Sequence, residues 1–403
     1  MLNEVYKTKK RLALQLVANL PYQYYNDSPS IKRYTNWELI DKKLSSRPGE
    51  PDIYSSLSSY LFNLYDVVFR LRDGKAVLEK TSSDVTFNIS NPEENEVFNL
   101  FFPEEGKLMA RHIGNVEEAL EIVVRKDARV RIAIIIDSPR DGGRFYHLLI
   151  RAQENSVSNI DVLSLLSKGS YGGVSLTNEY ILDKGSTVNS MLVSSRLDDS
   201  VFVGWRRALV MDKARLNYKT IGIGGNMRVQ DESIQKGANS SSIYKAFIFT
   251  DNNGYVDYIT NSVNQGEHTY TDVLVRGVAV SGKLLHRGVV KATEQANNSV
   301  NKLTSRLIPL DKAAEVVSVP SLEVDTDIVE EASHSTDVSS LSNEELFYLQ
   351  TRGLNLSESL ALLLYSYVYD IIDNTNQQFY DWLEKELMST FPLFNVKSLI
   401  NNY

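Results

Sequence analysis

The sequence predicts a mainly β protein, a parallel β-helix core flanked by N- and C-terminal helical parts. Three observations predict it. From about Lys75 to about Val319, short β-rich runs follow one another, broken by Gly, Asn and Asp turns. No long amphipathic helix separates these runs, which excludes the alternating βαβ pattern of a doubly wound sheet. A phrase also recurs: I-L-D-K-G-S-T-V at 181–188, V-M-D-K-A-R-L at 210–216 and P-L-D-K-A-A-E-V at 309–316. Each time an apolar strand end meets Asp-Lys-small and re-enters a strand. Such degenerate strand–turn–strand repetition suits stacked coils, because each coil buries its face against its neighbours.

Taken in order, residues 1–75 form an N-terminal helical region, with helices expected near 3–19 and 52–69 and Pro21, Pro29, Pro48 and Pro51 between them. Tyr22, Tyr24, Tyr25, Tyr34 and Trp37 are dense here, and packing between segments is the reading their large apolar area favours. Residues 76–340 form the β-helix core, with strands expected at 130–137, 145–151, 160–166, 187–193, 208–210, 243–250, 255–259, 273–280 and 284–290. Near its end, Leu322, Val324 and Ile328 alternate with Glu323, Asp325 and Asp327, so 321–337 reads as one extended acidic strand passing His334. Residues 341–403 are helical. Ser342 with Glu345 makes a capping box, Gly353 is a helix stop, and Asn355 with Glu358 restarts the chain.

Composition bounds the function. A net charge of −8 lacks the basic footprint that nucleic acid requires. The cysteine count is 0, which removes disulfides, thiolate metal ligation and cysteine nucleophiles together. The apolar stretch 360–372 is too short to span a bilayer and contains Ser366 and Asp370, so a helix buried against the body is expected. No apolar segment follows the lysines of the N-terminus as in a secretory signal. The expectation is a cytoplasmic protein without nucleic-acid or membrane partners.

Local motifs are few. G-I-G-G-N at 222–226 lacks both the Walker ending and the dinucleotide-fold spacing, and reads as a tight turn. Arg206–Arg207 beside Trp205 reads as a strand with a solvated face. None of the five histidines is paired at zinc-hydrolase spacing. His147 and His286 sit in strands, His147 as a core or rim residue. His334 differs: Glu331 and Asp337 flank it, and an imidazole among carboxylates can hold iron. From local chemistry alone, a solvated strand end stands ahead of that reading. No Ser-His-Asp signature is present. A polysaccharide-acting enzyme, which would need a carboxylate cleft on the β-helix, is the alternative of a different class.

The residues between about 280 and 372 resemble the SufB/SufD family, the scaffold subunits of SUF iron–sulfur cluster assembly. The resemblance is carried by S-G-K-L-L-H-R-G-V-V (281–290), E-Q-A-N-N-S-V-N-K-L (294–303), L-I-P-L-D-K-A (307–313), P-S-L-E-V (320–324), A-S-H-S (332–335) and L-F-Y-L-Q-T-R-G-L (346–354). R-Y-T-N-W (33–37) is similar to an N-terminal element of the family. The resemblance implies a right-handed parallel β-helix between helical ends, and an assembly subunit, not an enzyme. B-type members carry a cysteine where Ala313 stands and a His-Glu pair where His334–Ser335 stands. D-type members carry C-S-H-G, matched here by A-S-H-S, so the chain looks D-like. His334 is then implied to face the cysteine of a B-type partner at a heterodimer interface, with Glu331 and Asp337 as further ligands. No cofactor is expected to bind stably; iron or a cluster would be shared transiently with the partner. The segment around Phe347, Tyr348, Arg352 and Gly353 is implied to dock the SufC-type ABC ATPase. A structural homodimer without cluster chemistry is the alternative, since a chain without thiolates cannot alone hold a conventional cluster.

Overall fold

The computed structural model describes residues 2–22, 36–54, 59–92, 98–165, 167, 169–195, 200–251, 254–339, 343–372 and 377–390. Nineteen strands, β1 (Val67–Arg72) to β19 (Val329–Val338), form two facing sheets. One has ten strands, in the order β19-β17-β15-β13-β11-β9-β7-β5-β1-β2, and the other nine, β18-β16-β14-β12-β10-β8-β6-β4-β3. Odd strands from β5 onward thus stack in one sheet and even strands in the other, which makes a parallel β-solenoid of about seven turns. The expected fold class is what the chain adopts.

Strand alternation separates an interior from an exterior, because successive side chains point to opposite faces. The interior rows are mainly apolar: Leu303 stands in register with Val273, then Tyr244, then Tyr218. All four are buried in a single cluster that runs the length of the solenoid. Each such side chain taken from water contributes about 1.5–3 kcal/mol.

The corner leading from each even strand to the next odd strand is built to a rule. One or two residues before the odd strand, the backbone takes a positive φ: Asp127, Asn155, Gly185, Lys213, Asn239, His268 and Asn298, between 54° and 71°. Asn, Asp and Gly dominate because they tolerate this left-handed region best. The N–H of each of these residues donates to a carbonyl of the next coil at 2.8–3.2 Å, so the corners carry a hydrogen-bond ladder of their own. Asp183-Lys184 and Asp212-Lys213 are successive steps of it. The third Asp-Lys, at 311–312, lies at the opposite corner, between β17 (Ser299–Pro309) and β18 (Ala314–Val324). The phrase therefore marks turns without keeping coil phase.

Several expectations change. Of residues 52–69, the described ones hold a one-turn helix (Ser59–Phe62), and β1 begins at Val67, so the solenoid starts earlier than composition suggested. A nine-residue helix, Lys107–Asn115, interrupts the strands between β3 and β4. β10 runs from Val201 to Val210, and only its last three residues were expected as a strand. Tyr22 stacks on Trp37 at 5.9 Å as packing predicted, whereas Tyr24, Tyr25, Tyr34 and Arg33 lie outside the described residues. Gly224 and Gly225 form the tight turn between β11 and β12, both with positive φ.

The helical ends cover opposite faces. Ala13, Trp37, Ile40, Leu44 and Ile113 pack with Val201, Val203 and Trp205 on the outside of the nine-stranded sheet. Tyr367, Val368, Ile371, Phe379 and Leu383 pack with Val193, Ile221 and Phe247 on the outside of the ten-stranded sheet. The apolar helix Leu356–Ile372 is thus laid against the body. Its capping box is complete, with Asn355 N–H to Glu358 Oε2 at 2.6 Å and Glu358 N–H to Asn355 Oδ1 at 3.0 Å. Gly353 has φ 95° after the helix Asn343–Thr351, as a helix stop requires. Ser342 lies outside the described residues.

Candidate functional site

The candidate site is the last coil. The stretch 321–337 is not one strand: β18 ends at Val324, residues 325–328 turn the chain, and β19 starts at Val329 in the other sheet. Each is the terminal strand of its sheet. Among the described residues, both therefore present a backbone edge with no strand beyond it.

Register decides which side chains meet. His334 is paired with Leu303, Glu331 with Val300 and Asp337 with Arg306. Leu303 belongs to the interior, so His334 stands over the mouth of the solenoid interior, exposed because no coil lies above it. Glu331 and Asp337 fall on the outer face, where Lys302 Nζ holds Glu331 at 2.7 Å and Arg306 Nε holds Asp337 at 3.2 Å. The three expected ligands are thus divided between two faces of one strand, and period-two alternation is the reason. Among the described residues, no three His, Cys, Asp or Glu side chains converge as a metal site. The donors of this chain at the mouth amount to an imidazole and hydroxyls, and a cluster needs ligands from elsewhere.

Beneath the mouth runs a hydrogen-bonded column that sequence reading missed. Thr336 Oγ1 donates to Ser318 Oγ at 2.7 Å across the two sheets, and Ser318 Oγ to Ser305 Oγ at 3.1 Å. Ser305 meets His286 Nδ1 at 3.1 Å, and His286 Nε2 meets Thr260 Oγ1 at 3.2 Å. Burial, and next the charge of Arg287, lower the pKa of His286 to about 3, so the imidazole is neutral. Deeper still, Arg206 makes a two-pronged pair with Asp231, both bonds 2.7 Å, and Tyr258 donates to the same carboxylate at 2.7 Å. Arg206 is 1% exposed. The expected solvated face for Arg206–Arg207 is therefore wrong: Arg206 lies inside, and Arg207 is clamped between Glu105 at 2.9 Å and Glu232 at 2.5 Å. Alternation alone places one of two adjacent arginines inside, and the matching signal was Asp231, one coil on in register with Arg206. His147 is a core residue, bonded to Thr177 Oγ1 at 2.7 Å.

The expected docking residues form one patch on the helix Asn343–Thr351. Phe347 and Tyr348 are 67% and 57% exposed. Arg352 stacks on the Tyr348 ring at 5.1 Å and donates to its hydroxyl at 3.1 Å, next to the exposed Gly353. Leu346 on the same helix packs into the apolar cluster formed by the C-terminal helices and the ten-stranded sheet.

Comparison with known proteins gives this geometry a family. The SUF system FeS cluster assembly, SufBD core domain, matches residues 134–367, more than half of the chain. The chain belongs to the SufB/SufD family. A SufBD family protein of Mycobacterium bovis is 23% identical over 279 residues, 66% of this chain and 69% of that protein. The family protein ycf24 of Pyropia yezoensis is 25% identical over 147 residues, 36% of this chain, which spans only 30% of that relative. The Escherichia coli iron-sulfur cluster assembly protein SufD is 26% identical over 96 residues, 24% of this chain and 22% of that protein. By that membership the chain is a SufBD-family iron–sulfur cluster assembly protein. SufB/SufD membership gives no support to the polysaccharide reading. No described helix is long and apolar enough to cross a membrane.

Proposed function

We propose that the chain is a D-type subunit of a SufBCD-like complex, acting as an assembly subunit in the cytoplasm and not as an enzyme. The observation that carries the proposal is the open last coil, with His334 over its mouth and two sheet edges unpaired. A cysteine-bearing B-type subunit would pair with this end and supply the thiolates this chain lacks. Iron and sulfide are cargo of the shared site; His334 contributes an imidazole to it. The exposed patch of Phe347, Tyr348, Arg352 and Gly353 would dock a SufC-type ATPase. That helix joins, through Leu346, the apolar cluster that the helix Leu356–Ile372 shares with the ten-stranded sheet, so nucleotide-driven movement would reach the solenoid through packed contacts.

A homodimer without cluster chemistry competes for the same edge, and the cysteine-free composition favours it. Co-purification of the tagged full chain from its own cells separates the two. Recovery of an ABC-type ATPase together with a cysteine-bearing relative supports the D-type role. A chain that elutes only with itself assigns the edge to self-pairing.

A further inference from the structure

Among the described residues no coil lies above the last one, so its inward side chains lack the neighbours that hold such side chains elsewhere. A brace of four residues takes their place. Thr336 stands in register over Ser305 in the ten-stranded sheet, and Ser318 over His286 in the nine-stranded sheet. Two rungs cross the interior, Thr336 to Ser318 at 2.7 Å and, one coil below, Ser305 to His286 Nδ1 at 3.1 Å. The bond from Ser318 to Ser305, also 3.1 Å, is the diagonal between the rungs. A diagonal resists the sliding of one sheet past the other, which a single rung does not.

The brace has a fixed footing. His286 lies along the Tyr258 ring with centroids 5.8 Å apart and planes at 25°, and Tyr258 in turn donates to Asp231 at 2.7 Å. A Cβ at Gly288 would crowd both His286 and Leu303, so the glycine leaves the imidazole its place. A neutral imidazole accepts at one ring nitrogen and donates at the other, so His286 serves Ser305 and Thr260 together. Directly beneath, the two rows turn to Val275 and Ala246 in one sheet and to Tyr258 and Val229 in the other.

Thr336 follows His334 by two residues, so both side chains face inward from β19. Its branched side chain is stiff at χ1, so fixing the hydroxyl fixes the backbone that carries it. We propose that Thr336 is a positioning residue of the shared cluster site: through Ser318 and Ser305 it holds β19 where the His334 imidazole meets the partner's ligands. This role rests on the proposed function of His334 as a donor to that site.

The test follows cluster absorbance in the complex purified from its own cells and supplied with iron and sulfide without oxygen. Thr336→Val, nearly isosteric, should lower the initial rate roughly tenfold, while Thr336→Ser keeps it within about twofold. Ser318→Ala should match Thr336→Val, and the two combined should lose no more than either alone. In a His334→Ala background, Thr336→Val should have no further effect. In the isolated full chain, hydrogen exchange over residues 329–338 should quicken roughly threefold in Thr336→Val and not in Thr336→Ser. Circular dichroism checks folding, and Ser318→Ala carries the comparison should Thr336→Val fail to fold. If His334→Ala lowers the rate and Thr336→Val does not, the positioning role falls and the role of His334 stands. A further loss from Thr336→Val in the His334→Ala background, or unchanged exchange over 329–338, also overturns it. His334→Ala without effect removes both roles together.

Discussion

The two ends of the solenoid are made of the same kind of strand but finished differently. At the first coil the chain turns back on itself: β2 (Lys75–Lys80) lies antiparallel on β1, and β3 (Val85–Ser90) antiparallel on β4. Both are six residues long, and β2 carries Lys75, Glu79 and Lys80, which blunts its outer edge. A buried ion network ties this end together. Arg70 meets Asp137 at 2.7 Å and Glu79 at 2.6 Å, while Arg144 meets Asp52 at 2.8 Å. At the last coil β18 and β19 run eleven and ten residues with nothing paired beyond them. Their ion pairs are exposed. A solenoid has no intrinsic end, so each end must be closed by something, and among the described residues the chain closes only one.

Substitutions can break this contrast, and the largest effect is expected at the closed end. Asp137→Ala removes the fully buried carboxylate of the two that hold Arg70, leaving only the partly exposed Glu79, at a cost of about 3 kcal/mol or more in urea denaturation. Next comes Leu303→Ala, one coil below the mouth, where about 2–4 kcal/mol is expected because the rows around it cannot collapse into the void. In the repeating body between the ends, Lys213→Gly relieves a positive φ of 56° and should raise stability by roughly 1 kcal/mol. Breaking the outer pair of the open end, by Asp337→Ala, should cost about 1 kcal/mol, because Asp337 is exposed and Arg306 only half-buried. His334→Ala should leave the urea midpoint unmoved yet lower cluster formation in the assembled complex. An unchanged rate there removes His334 from the mechanism.

Acidity sharpens the contrast from inside. The imidazole of His286 holds its proton less tightly in the folded chain, at about 3, than in the unfolded chain, near 6.5. Between these values the unfolded chain binds the extra proton, so stability from this group falls as pH falls, by at most about 1.4 kcal/mol per unit. Glu179 acts in the opposite sense, since burial raises its carboxyl to about 7 against the N–H groups of Leu100 and Asn99. Its contribution falls as pH rises toward 7. Urea midpoints between pH 7 and pH 4.5 should therefore drop less on acidification in His286→Asn than in the parent.

Much of the fold was legible because period-two runs and turn residues carry it locally. The strands 243–250 and 273–280 stand out as unbroken β-rich runs; the first lies within β13 and the second matches β15 but for its last residue. β10 was mostly missed because Gly204, Arg206 and Arg207 interrupt its apolar pattern, and Arg206 is interior only because Asp231 waits a coil away. The corner ladder was also within reach: Asp127, Asn155, Gly185, Lys213, Asn239, His268 and Asn298 recur every 26–30 residues. Asp-Lys phrases drew attention away from it. At the site, His334 was identified and its flanking carboxylates misassigned, since a strand sends neighbours at odd spacing to the opposite face. The column beneath it joins residues from five strands, which no local pattern reports.

The unequal ends also limit counting. An object with two matching sticky ends strings into filaments, whereas one with a single sticky end can only pair and stop. Because β2 and β3 turn the first coil back on itself, a second solenoid joined to the last coil would complete a unit of two. The two short strands within residues 75–90 would then close off linear growth.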